Sequence, residues 1–503
     1  MKTDRNRIDW TTMLIPFAIV VALMGVFMIA PEQSKETVDS LRDFFGNSIG
    51  LYYPLVAIGS VVCALYVAMK PEYGNIRLGD CDRPAFSNFR WGTMIFTSTM
   101  AADIMFYSLI EWALYGGEQH VQELGGTQMW AETFTLFHWG PLAWGFYVIL
   151  AVCFAFMMHV RKRQRQRFSE ACRPLLGDKV NGFWGKLIDV TAIFAVVCAT
   201  ATTFSLATPL LTKAMGSVFG FDVNTTVTIL VLLLICAVYT FTVLFGVKGI
   251  SRLAGICSYL FFAILFYFLF LGGETRFIVE NGFQSLGNMI QNFAALSTYM
   301  DPMRENGFAQ NWTVYYWAYW LVWCVATPFF IALISKGRTL RNVVYGTFGW
   351  GLAGTYMSFI ILGGYGLSRQ LHENIDAIGF IGNGGEMYDA ILMIFDTLPL
   401  PALALLLLVI TMIAFYSTTL DGITYVASSY SYKKISPDEE PSRSIRGFWS
   451  IMLILLPIAL LFAENSLYSL QGVTIIAAFP IGILLIIIVC AFFKDCRTWL
   501  KEK

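Results

Sequence analysis

The chain has 503 residues, of which 57% are hydrophobic and only 14% are charged, and its mean hydropathy is +0.62. A soluble globular domain carries about 25% charged residues, so this composition excludes an ordinary soluble protein and indicates an integral membrane protein. Lys plus Arg and Asp plus Glu are equal at 34 each, so the net charge identifies no partner.

Twelve apolar stretches are each long enough to cross a bilayer as a helix. The first follows MKTDRNRID, and its length of about 20 residues suits a spanning helix better than the short core of a signal peptide. Backbone groups in lipid need internal hydrogen-bond partners, and these lengths suit helices rather than barrel strands. The sequence therefore predicts an all-α integral membrane protein with spans at 11–30, 51–69, 91–114, 136–159, 187–212, 226–246, 254–273, 312–335, 343–367, 399–429, 448–464 and 470–493.

Basic residues mark one side of the predicted membrane. They crowd connections such as RKRQRQR at 161–167 and KGRTLR at 336–341, whereas loops on the other side, such as QLHENIDAIGF, are acidic or neutral. Because cytoplasmic loops carry the excess of Lys and Arg, both terminal tails, 1–10 and 494–503, are predicted to be cytoplasmic.

The connection at 275–311 is too long for a simple turn. FIVENGFQSLGNMIQNF has apolar residues at helical spacing, which predicts an amphipathic helix on the outer surface. No linker or low-complexity segment divides the chain, so residues 1–503 are predicted to form one membrane domain, with two leading helices in 11–69.

The third predicted span contains an acid. Asp103 follows three hydroxyl-bearing residues in TSTMAAD at 97–103. Burying a carboxylate in the bilayer costs roughly 3 kcal/mol by insertion-based scales, and intramembrane acids usually serve a function. The structural alternatives are an ion pair with a basic residue and the capping of a broken helix.

Aromatic residues cluster in HWGPLAWGFY at 138–147 and in WTVYYWAYWLVWC at 312–324. Trp and Tyr near the end of a span often mark the membrane interface. Trp320 and Trp323, however, are three residues apart and about two turns inside their span, so they share a face at depth. Core packing is one explanation of that face; the other is a quaternary ammonium ligand, which aromatic rings attract without hydrogen bonds.

Hydroxyl, cysteine and histidine positions bear on bound ions. Thr418 and Thr419 before Asp421 offer oxygens for a small hard cation such as Na⁺, although hydroxyls in membrane helices also bond their own helix or bridge helices. The ten cysteines form no CxxC pair and the four histidines form no paired set, which argues against haem or a transition-metal cofactor.

Several motifs occur in an order typical of one family. They are FHWGPLAW at 137–144, SLATPLL at 205–211, GVKGISRLA at 246–254, WTVYYWAYWLVW and FFIALISKGRT at 329–339. From about residue 50 to residue 490 the chain resembles the betaine/carnitine/choline transporter family. The resemblance implies a LeuT-like fold of two inverted five-helix repeats, spans 3–7 (91–273) and 8–12 (312–493), and a homotrimer.

The resemblance also implies a substrate site between the first helices of the two repeats. Its aromatic box would consist of Trp139, Trp144, Tyr147, Trp320 and Trp323. Tyr319 stands where members usually have another Trp, and Trp312 resembles an outer aromatic on the path of the substrate.

Ion sites are implied in the same way. The hydroxyl pair that holds sodium in coupled members faces backbone near the third span's midpoint, which makes the candidate ligands Thr97, Ser98, Met100, Thr418 and Thr419. A second site would use Thr200, Thr202 and Thr203. Sodium-independent antiporter members replace the two ions by Arg and Met; here these positions are Ser251 and Thr327, and the neighbouring Arg252 is a candidate ion substitute.

One departure concerns the substrate. TMAAD at 99–103 stands where sodium-coupled betaine carriers have GMGIG, and its last residue, Asp103, matches choline-type members. A carboxylate beside the aromatic box would neutralise a cation that lacks its own acid, and it would repel a zwitterion's carboxylate. The loss of glycines also makes a break in this helix less evident.

These features predict a secondary transporter, not an enzyme, that moves a quaternary ammonium compound across a bacterial inner membrane by alternating access. A choline-like cation and ion-coupled symport, with Na⁺ or a proton, are favoured. Carnitine, butyrobetaine or glycine betaine as substrate, and sodium-independent antiport, are the alternatives. A channel or an osmosensing protein is the rival from another class. Membrane lipid is the expected surrounding partner, and no nucleic-acid partner is expected.

Overall fold

A computed structural model of the chain describes residues 7–81, 83–98, 101–244, 247–435, 439–462 and 467–502. Within these ranges, the side chains of 242–244, 247–254, 421, 459–462 and 467–470 are not described. Met100 and the side chains of Arg252 and Asp421 therefore lie outside the described residues.

The described chain is helical, as the composition predicts, and its extended pairings are isolated bridges such as Ile8 with Tyr432. The helices of eight or more residues are α1 (Trp10–Ile29), α2 (Pro31–Arg42), α3 (Tyr52–Met69), α4 (Asn88–Thr97), α5 (Ala102–Gly116), α6 (Thr127–His138), α7 (Pro141–Ala155), α8 (Phe183–Phe219), α9 (Thr225–Leu244), α10 (Val247–Phe266), α11 (Thr275–Gln291), α12 (Val314–Trp323), α13 (Thr327–Ile334), α14 (Leu340–Ser358), α15 (Gly364–Leu371), α16 (Met387–Asp396), α17 (Pro401–Tyr430), α18 (Arg443–Phe462) and α19 (Leu467–Glu502).

Shorter helical segments join these elements. They are Asp43–Ser48, Pro71–Gly74, Gln119–Leu124, Phe156–Val160, Phe168–Ala171, Arg173–Leu176, Gly177–Asn181, Tyr267–Leu271, Phe293–Thr298, Ala309–Thr313, Phe359–Gly363 and Ala377–Gly382.

Each of the twelve predicted stretches is helical, but not each is shown to be a span. Within the described residues, six helices are long and apolar enough to cross a membrane, or nine if each of three bent pairs counts as one span. The other three stretches correspond to α9, to α14 with its extension through α15, and to α18. The number of twelve spans therefore stays a prediction.

The third predicted span is broken between α4 and α5. The two helices meet at 67°, and Ala101, just before α5, has extended backbone angles. The Ser98 hydroxyl donates to the Ile95 carbonyl at 2.6 Å and the Thr97 hydroxyl to the Met94 carbonyl at 3.2 Å. The same two carbonyls also accept from the backbone N–H of Ser98, so the hydroxyls add second hydrogen bonds at the end of α4. The break is thus present without the glycines that would have made it evident from the sequence.

The eighth predicted span is broken as well, between α12 and α13. The helices on the two sides of the break meet at 53°, and Pro328 stands in the first turn of α13. Proline has no N–H to donate to the preceding turn, so it cannot continue the hydrogen-bond pattern of α12, whereas it is tolerated in the first turn of a new helix. Proline therefore explains this break, and backbone-bonded hydroxyls accompany the other.

Both broken spans lie inside the helical bundle. Helix α5 packs against α6 and α8, whereas α12 packs against α19, α8 and α7. Helix α17 packs against α8 and α10. Helix α11 lies against α6, at 109° to the helix before it, and exposes Val279, Phe283 and Ile290. It is the helix predicted in 275–311, and its place on the outer surface stays a prediction.

A buried ion cluster joins several segments at one end of the bundle. Arg167, 5% exposed, donates from Nη1 to Asp9 and to Asp189, each at 3.1 Å. Its Nη2 donates to the carbonyls of Tyr430 at 2.7 Å and Tyr432 at 2.5 Å. This Arg167 cluster ties the segment before α1 to the start of α8 and the end of α17.

Candidate functional site

A cavity of about 70 Å³ lies between the two broken helices. Both breaks, the connection from α6 to α7, and helix α17 contribute side chains to it. Its lining residues are Ser98, Ala101, Asp103, Ile104, Trp139, Trp144, Tyr147, Tyr319, Trp320, Trp323, Thr327 and Thr419.

Trp320 is the centre of the aromatic wall. Its ring centroid lies 4.9 Å from that of Tyr147, 5.5 Å from that of Trp139 and 5.6 Å from that of Trp144. All four rings are buried, and Trp323 adds a fifth ring to the cavity lining. The structure therefore brings together all five residues of the predicted aromatic box. The faces of aromatic rings are electron-rich and attract a cation.

A close approach of two helices supports this wall. The ring of Trp144, on α7, lies against Gly351 of α14, and a Cβ at position 351 would come within 2.5 Å of the ring atom Cζ3. Since real Cβ atoms do not approach that closely, the position of the Trp144 ring depends on the missing side chain at Gly351.

Asp103 is buried in the cavity wall, with 3% of its surface exposed. It lies in the first turn of α5, where the helix dipole favours a negative charge. The hydroxyl of Tyr319 donates to Oδ2, and that of Thr203 donates to the same oxygen at 3.3 Å. The backbone N–H groups of Asp103 and Ile104, in the same turn, also interact with the carboxylate, which supports the other structural alternative, the capping of a broken helix. Oδ1 makes no hydrogen bond of ordinary geometry to the described residues. No described Lys, Arg or His side chain pairs with this carboxylate, so the predicted structural alternative of an internal ion pair has no support there.

The first set of candidate ion ligands does not converge as a whole. Ser98 and Thr419 line the same cavity. The Thr418 hydroxyl instead bonds the Phe415 carbonyl at 3.1 Å and accepts from the thiol of Cys257, on α10, at 3.8 Å. Thr97 is bonded within α4. Of the members of this set that the structure describes, only Ser98 and Thr419 are therefore brought to one place.

The three threonines of α8 face different partners. Thr203 reaches Asp103, whereas Thr202 bonds the hydroxyl of Thr474, on α19, at 2.9 Å. Thr200 bonds the Val196 carbonyl and borders a second cavity of about 10 Å³, which Thr203 and Thr419 also line. A space of that size is close to the minimum for one water molecule.

Trp312 lies apart from the cavity. Its indole Nε1 donates to Glu118 Oε1 at 2.7 Å, and its ring meets that of Tyr115 edge to face at 5.0 Å. Burial raises the pKa of Glu118, and the hydrogen bond from Trp312 offsets part of that rise. Trp312 therefore belongs to a separate acid–aromatic contact beyond the last turn of α5.

Sequence reasoning missed three features of the site. Thr327 was named only as the position of a replaced ion, yet it lines the cavity. Ile104 contributes the apolar wall beside Asp103. Glu111, fully buried two turns along α5, accepts from the Trp139 indole at 2.7 Å and so fixes one ring of the box. A second acid in the same span, in the letters IEW, was the available signal.

Comparison with known proteins identifies the family of the chain. A family model described as BCCT, betaine/carnitine/choline family transporter, matches residues 11–500. A probable glycine betaine transporter of Desulfitobacterium hafniense is 28% identical over 96% of each chain. The glycine betaine transporter OpuD of Bacillus subtilis is 28% identical over 99% of this chain and 95% of its own. A carnitine transporter of Acinetobacter baumannii is 26% identical over 83% of this chain and 76% of its own.

Proposed function

Because the chain belongs to the betaine/carnitine/choline transporter family, we propose that it is a secondary transporter of a choline-like quaternary ammonium cation. The family and its named relatives are transporters, so the chain is a transporter and not an enzyme. Membership also supports a membrane location for its many apolar helices. The identity of the substrate, the identity of the coupling ion and the orientation of the chain in the membrane are part of the proposal.

The observation that carries the choice of substrate is Asp103. Its buried carboxylate has hydroxyl partners but no described cationic partner, and it lies in the same cavity as the aromatic wall. A trimethylammonium group against the rings would supply the missing positive charge. A substrate with its own carboxylate would place two like charges in one small cavity.

Glycine betaine or carnitine is the alternative substrate, and two observations favour it. The named relatives carry these zwitterions. The buried indole N–H groups of Trp144, Trp320 and Trp323 also have no partner among the described residues, and such donors suit a substrate carboxylate.

Competition uptake into proteoliposomes separates the two substrates. We expect wild-type protein to prefer choline over glycine betaine, and the isosteric Asp103→Asn variant to lose choline uptake at least about tenfold. This variant removes a charge–charge attraction of roughly 4 kcal/mol, before desolvation, for unit charges about 4 Å apart at an effective dielectric constant of about 20. Asp103→Gly should also lower choline uptake, whereas Glu123→Gln, exposed in the short helix Gln119–Leu124, should change nothing. A wild-type preference for betaine that Asp103→Gly leaves unchanged would refute the choice of choline.

We propose sodium as the coupling ion, held near Ser98 and Thr419. The two side chains line the same cavity beside the break at Ala101, where backbone carbonyls leave the helical pattern. Replacing Na⁺ by K⁺ at fixed membrane potential should abolish uptake. Thr419→Val should weaken the sodium dependence, and Thr418→Val, whose hydroxyl is bonded elsewhere, should not. Exchange that persists without sodium would identify an antiporter, and pH-dependent uptake would identify proton coupling.

The architecture of the proposal is a LeuT-like bundle of two inverted repeats in a bacterial inner membrane, with cytoplasmic termini and a homotrimeric assembly. The breaks at the third and eighth predicted spans support it, because they interrupt the first helix of each repeat. Counterflow tests the transport class: external substrate should stimulate exit of labelled substrate. A channel, the rival class, gives no such stimulation.

A further inference from the structure

Two hydroxyl groups from different helices meet at one oxygen of Asp103. Tyr319 of α12 and Thr203 of α8 both donate to Oδ2, and their own oxygens are 3.0 Å apart. Helices α5, α8 and α12 are thus joined at a carboxylate in the cavity wall. Tyr319 and Thr203 are themselves buried, at 2% each.

Neighbouring residues of the same types do not take part. Tyr315, one turn before Tyr319 on α12, bonds the hydroxyl of Tyr107 at 2.6 Å. Thr202, next to Thr203, bonds Thr474. The contacts to Asp103 therefore belong to specific positions and are not a general property of hydroxyls on these helices.

The two oxygens of Asp103 are consequently unequal. Oδ2 accepts from two hydroxyls of the protein, whereas Oδ1, equally buried, accepts from no described residue. A buried acceptor left without a donor is costly, so a ligand that supplies one gains affinity. A quaternary ammonium nitrogen carries no hydrogen, and the donor must therefore come from another part of the ligand.

We propose that Tyr319 and Thr203 are positioning residues that hold Asp103 with Oδ1 directed to a hydroxyl group of the substrate. This inference rests on the proposed function and adds to it that the carrier selects hydroxyalkyl trimethylammonium cations over cations of equal charge and size without a hydroxyl. Charge attraction and the aromatic wall would bind cations with and without a hydroxyl group equally. The fixed Oδ1 would favour only the cations that carry a hydroxyl group.

The test compares choline with propyltrimethylammonium, in which a methyl group replaces the hydroxyl. For wild-type protein, we expect the KM of choline to be roughly tenfold lower, the value of one hydrogen bond to a charged acceptor. Tyr319→Phe should reduce this ratio to about twofold to threefold through KM, with little change in kcat. Thr203→Val should reduce the KM ratio by less than Tyr319→Phe does, because the hydrogen bond from Thr203 to Oδ2 is longer than the one from Tyr319.

Two matched variants serve as controls. Tyr315→Phe and Thr202→Val each remove a hydroxyl from the same helices but not from Asp103, so the ratio should stay at its wild-type value. Equal effects of Tyr319→Phe and Tyr315→Phe would overturn the positioning role. A wild-type protein that carries both cations equally would overturn the inference and leave the proposed function standing. Failure to carry either cation would overturn the proposed function itself.

Discussion

Two aspartates, Asp103 and Asp189, are buried to nearly the same degree in this membrane protein, at 3% and 2% exposed. Asp189 lies in the Arg167 cluster, where it accepts from the Arg167 guanidinium at 3.1 Å and from the hydroxyl and backbone N–H of Ser169. Asp103 accepts from two neutral hydroxyls and interacts with the backbone N–H groups of its own turn, and among the described residues it has no cation beside it.

The proposed function assigns these two acids different roles, a structural one to Asp189 and a substrate-binding one to Asp103. A buried carboxylate is costly unless it is paired. At Asp189 the protein supplies the opposite charge itself and keeps it in place. At Asp103, in the proposed function, the substrate brings the opposite charge, and the rings of Trp320 and Tyr147 line the same cavity.

The largest expected effect comes from breaking the built-in pair. Asp189→Asn leaves the buried Arg167 with one acidic partner, Asp9, and should lower the free energy of unfolding by about 3 kcal/mol. The ratio of choline to betaine uptake in the remaining folded protein should not change. Thermal unfolding in detergent measures the first effect, and Asp103→Asn is the control. Equal destabilisation by both variants would contradict the distinction.

A lysine introduced beside Asp103 should form an internal ion pair with it, as Arg167 does with Asp189. Thr327 lines the same cavity, so the ammonium group of Thr327→Lys can pair with Asp103 and take the place of the substrate charge. We expect choline uptake to fall about 100-fold below that of Thr327→Met, the upper range for one charged contact. Thr327→Met has similar length and no charge. Equal uptake by the Lys and Met variants would show that Asp103 does not meet the substrate.

The aromatic side of the comparison can be tested at Gly351. The added methyl group of Gly351→Ala would displace Trp144, and such overpacking costs about 1–3 kcal/mol. The KM for choline should rise roughly tenfold, because a cost of about 1.4 kcal/mol, which lies within this range, corresponds to a factor of ten in binding. Gly349→Ala, on the same helix with no atom within 4 Å of the new methyl, should leave the KM unchanged. A normal KM in Gly351→Ala would mean that the Trp144 ring does not bind the substrate.

The smallest expected effect is the acid sensitivity of the Arg167 cluster. Burial opposes the ionisation of Asp9, but the charge of Arg167 and bonds from Arg167 and Thr12 outweigh it, so the pKa lies below the usual 3.8. A lowered pKa stabilises the folded state above the unfolded pKa, and this contribution disappears as pH falls through the folded pKa. Wild-type protein should exceed Asp9→Asn in unfolding free energy by up to about 1 kcal/mol at neutral pH. The difference should shrink progressively as the pH falls below 3.8, as thermal unfolding at neutral pH and at a series of acidic pH values would show. A difference that stays constant over this series would contradict the prediction.

The family, the helical class and the composition of the aromatic wall could be predicted from the sequence. The aromatic face alone left core packing open, and the acid alone left an ion pair or helix capping open; the ordered family motifs are what favoured a binding site. The structure agrees for all five rings of the box and for the position of Asp103 beside them.

Which of two adjacent hydroxyls faces the site could not be predicted. Thr419 lines the cavity and Thr418 turns to Cys257; Thr203 reaches Asp103 and Thr202 reaches another helix. A helix that is apolar on nearly every side has no polar face to fix its rotation in the sequence pattern. The packing of α8 and α17 against their neighbours fixes that rotation, and it depends on contacts distant in the chain.

The break in the third span was obscured for a different reason. Glycine is the familiar signal of irregular backbone, and TMAAD contains none. Back-bonding by Thr97 and Ser98 was a signal in the same letters, but serine and threonine make the same bonds in unbroken membrane helices. Only the second break, at Pro328, has an unambiguous local cause.

The segment before α1 has a practical consequence for handling the protein. The backbone N–H of Asp9 bonds the carbonyl of Ser431 at 2.7 Å, and that of Lys433 bonds the carbonyl of Arg7 at 2.8 Å. A short strand-like contact thus joins the beginning of the chain to the end of α17. A purification tag, a protease site or a fluorescent fusion is therefore better attached after residue 502 than inserted next to Arg7, where it would compete with the ordering of a helix more than 400 residues away.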